Sequence, residues 1–148
     1  MRILLAAPCN VALQDPEVGQ SLIGVFHGMK IQISQDAEVP DNAMLPKEWA
    51  IFSKFGLDPD EEGKSYSLVT NIFWPDGKLL VNHLLPAAEP TKDGMNFITR
   101  MQAIPVGQEG IVKVSQTVIS EGEIVCGPIE LEIKVTIEKT LPPARKSE

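Results

Sequence analysis

Gly127-Pro128-Ile129-Glu130-Leu131-Glu132-Ile133-Lys134-Val135-Thr136-Ile137-Glu138 is the stretch that decides the fold class. From Ile129 onward every odd position is β-branched or leucine, and every even one is charged or threonine. In an extended chain that period of two puts Ile129, Leu131, Ile133, Val135 and Ile137 on one face and the charges on the other. A helix would scatter the same residues around its circumference. One oily face and one wet face mark a strand of an antiparallel sheet, not of a parallel sheet covered on both sides.

Working outward, the same theme recurs. Glu121-Gly122-Glu123 is a turn that folds Ile111–Ile119 back against Ile124–Glu138. Ile111–Ile119 carries Val112, Val114 and Val118 on one parity, with Gln116 breaking the set. Pro75-Asp76-Gly77-Lys78 is the clearest turn, because proline presets φ at the first corner and Asp-Gly tolerates positive φ. It predicts a hairpin between Lys64–Trp74, whose inward set is Tyr66, Leu68, Thr70, Ile72 and Trp74, and Lys78–Leu85. Met95–Ile104 is framed by Gly94 and the cluster Pro105–Gly110.

Nearer the start lie Ile3–Leu13 and the long segment Gln20–Ile33. Gly24 and Gly28 interrupt the latter, which predicts a bend from one sheet into another. Lys47–Leu57 has apolar residues on both parities and is expected to be covered in part on both sides. Gln35–Pro46 reads as a polar loop, and only Ala43–Ala50 could hold a helical turn. The pattern predicts an all-β domain over 1–138, an antiparallel β-sandwich of about eight strands, immunoglobulin-like or C2-like in its Greek key, in preference to a closed barrel. Residues 139–148 read as a disordered tail.

At 148 residues and 43% hydrophobic, the chain is one domain that buries roughly 68–70% of its unfolded surface. It needs neither disulfide nor metal to hold a core, and the 5% aromatic share makes that core mostly aliphatic. A net charge of −7 argues against nucleic acid or an anionic membrane as the main partner. Cys9 and Cys126 lack metal-ligand spacing and are expected to be small unpaired hydrophobes. Met1 to Cys9 imitates a lipoprotein signal, but its apolar run is short and Pro8 stands where a small residue is required. No run approaches the ~20 apolar residues that span a membrane. A cytoplasmic protein is expected.

Ile3-Leu4-Leu5-Ala6-Ala7-Pro8-Cys9-Asn10, followed by Gly19-Gln20-Ser21-Leu22-Ile23-Gly24-Val25-Phe26, resembles the opening of a family of small uncharacterised bacterial and phage proteins. The Pro-Asp-Gly-Lys hairpin and the terminal alternating strand extend the likeness to about Ile137. Asn10 departs from it, where the family has an acidic residue, and so does the long loop 34–46. The resemblance implies an all-β sandwich in a bacterial or phage setting and transfers no activity.

Candidate chemistry is sparse. His27 and His83 have no nucleophile or metal-ligand partner at a telling spacing. No nucleophile elbow, phosphate loop or zinc-protease motif is present. The chain therefore reads as a non-enzyme without cofactor. It would bind a protein partner, or its own copy, through a sheet face or edge. Phe52 and Phe73, with Trp49 beside them, are the candidate binding residues, because their parity could leave an aromatic pair exposed. The alternative is a calcium or other ligand site on acidic end loops, drawing on Asp36, Glu38 and Asp41 together with Asp58, Asp60, Glu61 and Glu62. It requires the two loops to share one end of the sandwich.

Overall fold

A computed structural model describes residues 1–15 and 19–140. It contains β1 (Arg2–Asp15), β2 (Gly19–Val25), β3 (Gly28–Ser34), β4 (Met44–Gly56), β5 (Tyr66–Phe73), β6 (Leu79–Ala88), β7 (Met95–Pro105), β8 (Gly110–Ser120) and β9 (Glu123–Thr140). Among the described residues there are thus nine strands where about eight were expected. Among the described residues the one helical element is a 3-10 turn at Pro59–Glu61. The helical turn entertained for Ala43–Ala50 is instead the start of β4. Strand β9 runs two residues past the domain boundary read from sequence, and the rest of the expected tail, like residues 16–18, lies outside the described residues.

The strands form two sheets, β2-β1-β4-β7 and β3-β9-β8-β5-β6. The first is antiparallel throughout, but in the second β3 runs parallel to β9. That exception to the antiparallel expectation has a simple cause. The segment read as one long strand breaks at Phe26-His27, and the chain keeps its direction as it passes from the edge of one sheet to the edge of the other. The Phe26 N–H donates to the Pro8 carbonyl in the first sheet, and the His27 carbonyl accepts from the Lys134 N–H in the second. The bend anticipated from Gly24 and Gly28 is therefore real.

The predicted hairpin at Pro75–Lys78 forms, with Gly77 at positive φ, and joins β5 to β6. The inward set Tyr66, Leu68, Thr70, Ile72 and Trp74 is buried, as are Ile133 and Val135 of the alternating stretch. Residues of both sheets meet in one aliphatic cluster, Trp49, Ile51 and Ile104 against Ile72, Val112, Val114, Ile133 and Val135. A second cluster joins Phe55, Met95 and Phe97 to Tyr66, Leu68 and Val118.

Buried polar side chains bridge the two sheets. Gln116, expected to interrupt the inward row of β8, instead occupies its place there with 0% exposure. Its amide nitrogen donates to Thr70 Oγ1 at 3.1 Å, and its amide oxygen accepts from the Ser53 hydroxyl. Thr70 and Thr99 hydroxyls lie 3.5 Å apart. In a dry interior these groups tolerate burial only because they satisfy one another.

Candidate functional site

The exposed apolar surface is unevenly distributed. Among the described residues, seven of the twelve large hydrophobic side chains on the surface belong to β1 and β2: Ile3, Leu4 and Leu5 at the end of β1 that pairs with β4, and Val11, Leu13, Ile23 and Val25 where β1 pairs with β2. The register explains the grouping. Val11 pairs with Ile23 and Leu13 with Ser21, and Val25 follows two residues on, so these residues share one face of β1 and β2. Cys9 is buried, whereas Ile23 and Val25 are 54% and 59% exposed. No charged residue occurs from Ile3 to Gln14 or from Gly19 to Phe26. A strand pair this apolar ordinarily sits under another layer; here one face meets solvent.

The opposite face of the hairpin is used internally. Ala12 and Leu22, a cross-strand pair, belong to one cluster with Cys9, Ala50, Phe52 and Ile98. This satellite cluster explains why β4 is buried on both parities, as its sequence predicted. It also overturns the exposure anticipated for Phe52, which is 2% exposed. Gly24 lets the two strands close, since a Cβ there would fall 2.2 Å from the Asn10 side-chain nitrogen. A concavity of about 190 Å³ opens where β1 diverges from β4, with Asn10, Glu48, Arg100 and Gln102 among its lining residues. None of its lining residues is a serine, cysteine or histidine.

The other residues singled out from sequence fall elsewhere. Trp49 is buried and its indole N–H donates to the Ala103 carbonyl at 2.8 Å, so it anchors β4 to β7. Phe73 is half-buried on the second sheet and does not join Phe52. Cys9 and Cys126 are free. Cys9 is buried within β1, and that burial pushes its thiol pKa up. His27 and His83 are exposed.

The two acidic loops do not share an end. Residues 36–41 sit by the start of β8, where a Cβ on Gly107 would meet the Pro40 and Asp41 carbonyls and the Gln108 amide donates to Asp41. Residues 58–62 sit by its far end, where Asp60 and Glu61 line one hollow with Ser120 and Glu121. Strand β8 spans Gly110–Ser120, so about 33 Å at ~3.3 Å per residue separates them. Among the described residues no three His, Cys, Asp or Glu side chains come together in a metal-binding group. The pooled site of Asp36, Glu38, Asp41, Asp58, Asp60, Glu61 and Glu62 is not assembled.

The second acidic loop instead holds the amino terminus. The Met1 ammonium donates to Glu61 and lies 3.4 Å from Asp58, while Glu61 also accepts from the Asp58 backbone N–H at 2.8 Å. The hydrogen bond to Glu61, against a smaller opposing effect of burial, raises the ammonium pKa above 8.0. For Glu61, burial acts to raise the carboxyl pKa, but the bonds from the ammonium and from Asp58 outweigh it and bring the value below 4.5. The Tyr66 hydroxyl donates to the Glu61 carbonyl at 2.6 Å, which ties this loop to β5.

Sequence reasoning thus looked for an interaction surface on the two middle strands and missed the first hairpin. The available signal was the lack of charge over two consecutive strands, which reads equally well as a buried pair. No family model matches the chain, and no curated protein does.

Proposed function

We propose that this chain is a non-enzymatic interaction or accessory protein of the cytoplasm, built on a β-sandwich of the immunoglobulin-like or C2-like Greek-key kind. It engages a protein partner, or its own copy, through the β1–β2 hairpin. The observation that carries this reading is the concentration of exposed Val11, Leu13, Ile23 and Val25 where β1 pairs with β2, with exposed Ile3, Leu4 and Leu5 further along β1. Monomeric soluble proteins seldom leave a large contiguous apolar patch uncovered, and a rim of polar residues around such a patch marks an interface. The resemblance of the opening residues to small bacterial and phage proteins gives the setting in which a partner is sought.

The test is affinity capture from the native host with the unaltered chain and with Val11→Lys and Val25→Lys. Both positions face solvent, so the variants keep the fold, as far-ultraviolet circular dichroism checks. A partner that is retained by the unaltered chain and lost from both variants supports the reading. Partners retained equally by all three remove it.

A further inference from the structure

The two sheets have four edge strands, β2, β7, β3 and β6. An edge presents unpaired N–H and C=O groups to any other strand, and natural sheets blunt that hazard with charge, proline or distortion. Three of these edges carry such a device. Strand β3 has Lys30, β6 has Pro86, and β7 has Arg100 and Pro105. Strand β2, Gly19-Gln20-Ser21-Leu22-Ile23-Gly24-Val25, has neither charge nor proline. The one edge with neither charge nor proline, distorted at Gly24, is also the one flanked by the exposed apolar face of the hairpin.

We infer that β2 pairs edge to edge, antiparallel, with β2 of a second copy of this chain, about a two-fold axis that joins the two four-stranded sheets into one. This rests on the interaction reading above and names its partner. Every copy meets other copies carrying the same open edge, so an isologous contact is always available to it. Electrostatics selects the same contact. Each chain carries −7, and copies repel wherever their acidic surfaces approach. Strand β2 itself brings no charge to the contact, so hydrogen-bond pairing and burial of Ile23 and Val25 proceed there without like charges directly opposed.

A neutral contact between two like-charged bodies has a particular signature. Salt screens the overall repulsion without weakening the contact itself, so dimerisation strengthens as ionic strength rises. An interface built on ion pairs would weaken instead.

Sedimentation equilibrium on the full chain, at low and high salt, tests the inference. The expected result is a monomer–dimer equilibrium that tightens with salt. Ile23→Lys places like charges beside the axis and loosens the dimer at least tenfold. It leaves the circular-dichroism spectrum and melting temperature close to those of the unaltered chain. Ser21→Lys, on the same exposed face, does the same and serves if Ile23→Lys fails to fold. A chain that stays monomeric at its highest soluble concentration overturns the inference. So does a dimer indifferent to both lysines, or one that loosens with salt. A monomer whose captured partner is still lost from Val25→Lys removes self-pairing alone and leaves the interaction reading standing. Capture indifferent to Val11→Lys and Val25→Lys, with no dimer, removes both.

Discussion

Gln116 offers the sharpest test of how the two sheets are held in register. Its side chain is fully buried and joins Ser53 of one sheet to Thr70 of the other. Gln116→Met keeps the volume but cannot accept from Ser53, so it leaves a buried hydroxyl without a partner. That costs about 1–3 kcal/mol. Gln116→Ala adds a cavity and is expected near 3–5 kcal/mol, a large share of the roughly 5–15 kcal/mol that holds a domain folded. The informative variant is Ser53→Ala. In the unaltered chain it strips the Gln116 oxygen of its donor and destabilises by about 1 kcal/mol. Combined with Gln116→Met it removes a hydroxyl that has nothing to bond, and the effect becomes neutral or stabilising. Urea unfolding followed by the fluorescence of the buried Trp49 and Trp74 measures this. With a slope near 2 kcal/mol per molar, 1 kcal/mol moves the midpoint by about 0.5 M. Equal destabilisation by Ser53→Ala in both backgrounds, within the ~0.3–0.5 kcal/mol of simple additivity, would refute the network.

Two further outcomes are expected. Gly94 and Gly122 both have positive φ, but a Cβ on Gly94 would lie 2.4 Å from the Phe55 carbonyl oxygen whereas Gly122 has open space. Gly122→Ala should therefore cost only the left-handed penalty of about 1–2 kcal/mol, and Gly94→Ala clearly more, as paired thermal melts will show. Glu61→Gln should lower stability by about 0.5–1 kcal/mol near neutrality, because it is a surface ion pair reinforced by one capping bond. The folded carboxyl lies below its ordinary value, so its contribution is present above that ordinary value and fades as pH falls through the lowered folded one. The folded ammonium lies above its ordinary value, so the pair's contribution is present below about pH 8 and fades as pH rises further. A stability difference between the two proteins that does not shrink at both ends of this window contradicts the pairing.

Much of the architecture was legible in the chain itself. Alternation from Ile129 to Ile137 and from Tyr66 to Trp74 fixed two strands and their inward faces, because side-chain direction in a strand follows from position alone. The turn at Pro75–Lys78 and the break near Gly24 and Gly28 were readable for a similar reason: backbone conformation there is set by residue type. Local pattern could not show that Gln116 belongs in the core, since its partners Ser53 and Thr70 are distant in sequence. Nor could it tell that Phe52 is covered by the hairpin of β1 and β2, or that the acidic loops lie at opposite ends of β8.

The candidate site divides along the same line. That residues 3–14 and 19–26 are uncharged and strand-forming is a property of the sequence. Whether such a pair lies inside or outside depends on what the remaining strands cover. Strand order, which depends on contacts between residues far apart along the chain, made β2 an edge and left Ile23 and Val25 in water.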